Sequence, residues 1–139
     1  MRLRELPTRL ATGAYILHAG LEKRHAPTEV AQGMHGAASG ALPMVKSMEP
    51  TVFLKRLSMG EITVGSLLLA PFVPTAVAGA ALTAFSGGLL TMYLRTPGMR
   101  KQGSIWPSQQ GTAVSKDVWM FGIGLSLLAD ALVDRKRQA

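Results

Sequence analysis

Residues 75–94, TAVAGAALTAFSGGLLTMYL, form a run of twenty without a charge. A helix rises about 1.5 Å per residue, so such a run reaches roughly the 30 Å of a bilayer's hydrocarbon core. Three further stretches, about 8–22, 52–70 and 115–133, have apolar bodies bounded by proline or by charged residues. The pattern predicts an all-α fold: an integral membrane four-helix bundle, one domain over 1–139, with a loop or interfacial segment at 23–51.

Prolines place the boundaries. Pro7 suits the first turn of the first helix, where its missing N–H costs nothing. Pro71-Phe72-Val73-Pro74 predicts a tight turn joining the second and third helices as an antiparallel hairpin. The uncharged core 10–21 of the first helix is only twelve residues, short for a span, so either the bilayer is expected to thin there or Arg9 and Lys23 to snorkel outward. Residues 31–45 lack a strong helical period and read as an interfacial or partly re-entrant helix ended near Pro43. A second polar connection, 95–116, carries Pro97, Gly98, Gly103, Pro107 and Gly111. In the third helix Gly79, Thr83 and Gly87 recur every four residues beside a stripe that includes Gly88. Lipid gives no hydrophobic push between helices, so small residues of this kind are read as packing positions.

Composition sharpens the compartment. The chain is 47% hydrophobic and 17% charged, below the roughly 25% usual in soluble domains. A net charge of +7 would point to nucleic acid in a soluble protein. Here Lys and Arg gather at the ends of apolar runs, where they anchor to headgroups, so the partner expected is the lipid bilayer and not nucleic acid. Arg2, Arg4 and Arg9 before the apolar run 10–17 imitate a signal peptide, but the run is read as the first membrane helix. The long connections hold nine basic residues and the tails six, which leaves the orientation open. The chain has no cysteine, which excludes disulfides and thiolate ligation.

These residues resemble a family. RLATGAYILHAGLEK (9–23), with Gly20 and Lys23, is similar to the opening helix of DoxX-like membrane proteins. SMGEITVGSLLLAP (58–71), with Glu61 before Gly65, resembles their second helix. The Pro-bounded turn, the Ala- and Gly-rich third helix and SKDVWMFGIGLSLL fit the later part, although the connection after the first helix is longer than usual. The resemblance implies a four-helix membrane bundle in a bacterial plasma membrane. It also implies a link to redox complexes, since the family takes its name from a subunit of a thiosulfate:quinone oxidoreductase.

Ionisable groups inside a membrane are costly and are candidates for function. Glu61 is the first: a proton relay or a quinone headgroup ligand, or else an ion pair with Lys23, Arg56 or Arg9 that fixes helix register. His18 is a proton carrier, or an imidazole bonded to a neighbour. Lys23 joins them as a headgroup candidate. Asp130, with Asp134 four residues on, reads as one end of a proton path, or as solvated near Arg135 and Arg137. Tyr15, Tyr93, Trp106 and Trp119 read as interface anchors. No spacing predicts a metal site or a catalytic constellation. The leading expectation is therefore an accessory subunit without catalytic activity of its own, docked on other membrane subunits of a respiratory or redox complex. The alternatives are a quinone-binding subunit, quinone then being the one cofactor, and a small homo-oligomeric transporter or proton conductor.

Overall fold

The computed structural model describes residues 1–96, 98–109 and 115–139; Pro97 and Gly111 of the second connection lie outside them. The described residues are all-α, with five α-helices and two short 3₁₀ turns at Leu3–Glu5 and Pro43–Val45. The helices are α1 (Leu6–Arg24), α2 (Thr28–Ala41), α3 (Pro50–Leu69), α4 (Thr75–Arg95) and α5 (Asp117–Gln138).

Local chemistry accounts for most of these ends. Pro7 and Pro50 sit in the first turns of α1 and α3, where their fixed φ is preorganised for a helix. Pro27 and Pro74 precede α2 and α4, and α3 stops just before Pro71. Asp117 opens α5 and Arg135, Lys136 and Arg137 close it, each sign at the end of the helix dipole that favours it.

Two close pairs make up the bundle: α1 on α3, and α4 on α5. Glycines permit the approach. A Cβ built on Gly65 would lie 2.7 Å from the Leu17 amide nitrogen and 2.9 Å from the Gly13 carbonyl oxygen, so α1 and α3 touch backbone to backbone. Ser58 of α3 adds a 2.6 Å hydrogen bond to the Gly20 carbonyl. On the other pair, a Cβ on Gly79 would come within 3.0 Å of Leu127 and 3.2 Å of the Gly124 carbonyl. Thr83 packs on Gly124, and Gly87 faces the Phe121 ring. Gly88, expected to pack with them, faces open space. The pairs share a core of Ile16, Val64, Leu68, Ala78, Leu82, Met120 and Leu127.

Residues 31–45 are helical up to Ala41, just before Pro43. They belong mostly to α2, which packs across α3 and α4 over a second core of Ala38, Ala41, Val45, Met92, Tyr93 and Met99. Tyr93 is buried, not an interface anchor; its hydroxyl donates to the Ile105 carbonyl at 2.8 Å and pins the turn between Met99 and Ser108. Gly103 holds a φ of +70° at the tip of that turn, a conformation most side chains avoid. Tyr15, Trp106 and Trp119 are exposed.

Four spans were expected. Among the described residues α4 alone is long and apolar enough to cross a membrane by length and composition. Each of the other long helices carries several ionisable groups, such as Arg9 and Lys23 in α1 and Glu61 in α3.

Candidate functional site

Two polar clusters lie within the bundle, at opposite ends. The first surrounds Arg9, which is completely buried and does not snorkel. Its guanidinium donates to the carbonyls of Leu67 (2.9 Å), Leu68 (2.9 Å) and Ala70 (3.0 Å) at the end of α3. It also reaches the Val73 carbonyl at 3.1 Å and Thr75 Oγ1 at 3.4 Å. The last carbonyls of a helix have no partner within it. The sharp Pro71–Pro74 turn leaves them with no following helical residues, and the planar fork of Arg9 satisfies several at once. Thr75 Oγ1 in turn donates to Glu5 Oε2 at 2.6 Å, which ties the N-terminal turn to the start of α4. Burial alone would push the Glu5 carboxyl up. The Thr75 hydroxyl, the Arg2 amide and the charges of Arg9 and Arg2 outweigh it and hold the group below its ordinary range.

The same end holds Asp130 and Asp134. Asp134 is buried, not solvated beside Arg135 and Arg137, and both Arg2 and Arg4 bond its carboxylate. Asp130 lies 3.6 Å from Arg4 and is half exposed. This end reads as a structural clasp between the N-terminal turn and α5.

The second cluster borders a cavity of about 600 Å³ beneath α2. Gly33, Gly36, Ala37 and Gly40, one face of α2 by their spacing, form one wall. Phe53, Leu57, Leu89, Met92 and Met99 form the opposite apolar wall. The polar end carries Lys23 from α1, Glu61 from α3, and Lys116 and Asp117 at the start of α5. Lys23 Nζ sits 2.9 Å from Glu61 Oε2 as an ion pair and donates an aligned hydrogen bond to Oε1 at 3.1 Å. Lys116 Nζ lies 3.5 Å from Asp117 Oδ2. The Asp117 side chain is 1% exposed, and its Oδ1 has no hydrogen-bond partner among the described residues.

Of the residues singled out from the sequence, the structure brings Glu61 and Lys23 together. It settles the ion-pair choice on Lys23, since Arg9 caps α3 and Arg56 is exposed. His18 is not with them: its side chain is 72% exposed and faces Glu22 at 3.4 Å. Asp130 lies thirteen residues along α5 from Asp117, about 20 Å at 1.5 Å per residue. Asp117 is not among the residues the sequence singles out, because a carboxylate in the first turn of a helix is explained by the helix dipole. The adjacent Lys-Asp pair at 116–117 was the available signal, but its burial depends on helices distant in sequence. Among the described residues no group of three or more His, Asp or Glu side chains is placed to hold a metal ion. Compared with known proteins, the chain matches no family model, no curated protein and no solved structure.

Proposed function

We propose that this chain is an integral membrane protein that serves as an accessory subunit of a larger membrane complex, in the manner its DoxX-like resemblance implies. The observation that carries the reading is the combination of charged side chains buried and partnered among the helices with large apolar side chains exposed on their outer faces. Glu5, Arg9, Glu61, Asp117 and Asp134 are all buried, each with a partner of opposite charge or a set of hydrogen bonds. Leu10, Tyr15 and Leu21 of α1, Met59 of α3, Val77 and Leu94 of α4, and Leu125, Leu132 and Val133 of α5 are exposed. Water favours the reverse arrangement, since charged side chains are rarely buried and large apolar surfaces mark contacts with lipid or protein.

In this reading α1, α3, α4 and α5 lie within the bilayer and α2 rests at one end. Arg9 and Lys23 of α1, Glu61 of α3 and Asp117 of α5 are compatible with the bilayer because each is partnered within the bundle. The outward apolar faces meet lipid on some sides and partner helices on others. The role in the complex is architectural, because the buried charges at the Arg9 end are engaged in closing helix ends and joining elements.

Affinity purification from native membranes in a mild detergent, followed by mass spectrometry, tests the reading. Stoichiometric recovery of other membrane-protein subunits is the expected result. A solitary chain, recovered without partners under conditions that preserve other membrane complexes, would overturn it.

A further inference from the structure

The cavity beneath α2 has a polar end whose charges balance and whose hydrogen bonding does not. Lys23 faces Glu61 and Lys116 faces Asp117. A cationic head entering there would meet two ammonium groups, and an anionic one would meet two carboxylates. Two buried carboxylate oxygens on side chains that line the cavity lack a hydrogen-bond partner among the described residues, Glu61 Oε2 and Asp117 Oδ1. Glu61 Oε2 is offset by the Lys23 ammonium at 2.9 Å, so the unmet acceptor is Asp117 Oδ1. A buried acceptor left without a partner is costly, so a ligand that supplies a donor is favoured there. The volume of about 600 Å³ lies in the range of small-molecule sites. The walls are apolar, and three of their residues, Met34, Met92 and Met99, have side chains that conform to irregular hydrocarbon. The facing side of α2 is bare: a Cβ on Gly33, Gly36 or Gly40 would meet nothing within 4 Å.

We propose that this cavity binds a neutral, lipid-soluble alcohol or phenol. Its hydroxyl donates to Asp117 Oδ1, and its hydrocarbon lies between α2 and the Met92–Leu89 wall. A head with only acceptors, a quinone among them, leaves Oδ1 as unpartnered as before. The site stands apart from the accessory-subunit reading, because it requires the cavity alone.

The test compares 4-nonylphenol with its methyl ether, 4-nonylanisole, which is similar in shape and lacks the O–H. Equilibrium binding is measured on the purified full chain in detergent, against empty micelles, in mildly alkaline buffer that keeps carboxylates ionised. The phenol is expected to bind about tenfold or more tighter than the ether, the worth of one hydrogen bond to a charged acceptor. Asp117→Ala is expected to abolish that difference. Should Asp117→Ala fail to fold, a double variant, Gly36→Leu with Gly40→Leu, fills the cavity from its bare face. It is expected to lose phenol binding while unfolding no earlier than the unaltered chain, since leucine is the better helix former. Equal binding of phenol and ether, no binding above empty micelles, or phenol binding undiminished in the double variant would overturn the proposal.

Discussion

Replacing Arg9 with methionine removes the fork that closes the end of α3 while keeping much of the side chain's length. The guanidinium donates to the carbonyls of Leu67, Leu68, Ala70 and Val73. A buried carbonyl deprived of its donor costs about 1–3 kcal/mol. Not all four would stay dry, because the exposed Phe72 marks a turn that solvent reaches. Counting two carbonyls at full cost and the others as rehydrated gives about 2–6 kcal/mol, reaching the upper end for single substitutions. Arg9→Lys keeps the charge but offers its donors from a single point, which cannot serve four spaced carbonyls, so it recovers less than half of the loss. Thermal or denaturant unfolding in detergent, followed by circular dichroism, reads both variants. If Arg9→Met unfolds within about 0.5 kcal/mol of the unaltered chain, the capping role is refuted.

Other consequences follow from the same geometry. Gly65→Ala would force α1 and α3 apart and cost about 1–3 kcal/mol, whereas Gly88→Ala, whose Cβ meets nothing within 4 Å, should be neutral or stabilising; unfolding midpoints compare them. Lys23→Met leaves the Glu61 carboxylate, 5% exposed, without its ion-pair partner and costs about 3 kcal/mol, most of which Lys23→Met with Glu61→Gln should restore. Glu5, held below its ordinary value of 4.5, contributes stability that is complete above that value and lost as pH falls below it. Glu5→Gln should therefore flatten the decline in unfolding temperature between about pH 5 and pH 3, and an unchanged slope would contradict the role given to Thr75 and Arg2.

The helix ends were legible where proline set them. Pro71 and Pro74 predicted the turn, and α4 runs over Thr75–Arg95 against an expected 75–94. α2 was legible only as a weak helix ending near Pro43, and its start at Thr28 was not read, because its sequence disfavours a helix. Gly33, Gly36 and Gly40 each weaken it, and what holds it is the burial of Ala31, Ala38 and Ala41. Arg9 looked like a membrane-edge residue because its acceptors lie some sixty positions away, where no local pattern reaches. In the candidate site, Glu61 and Lys23 stood out because charges in apolar runs are conspicuous. Asp117 did not, because a carboxylate at a helix start has an ordinary explanation. Its place beside Lys23 and Glu61 at the cavity comes only with the assembled bundle.

A membrane-crossing α4, as proposed, requires the Pro71–Pro74 turn and the Met99–Ser108 turn to lie on opposite sides of the membrane. The chain has no cysteine, so single-cysteine variants label without background. Phe72 and Ile105 are exposed, at 85% and 71%, one in each turn. Phe72→Cys and Ile105→Cys, treated in intact cells with a membrane-impermeant maleimide, should differ: one labels from outside, and the other only after the membrane is opened. Labelling of both from outside, or protection of both in intact cells, would contradict the account.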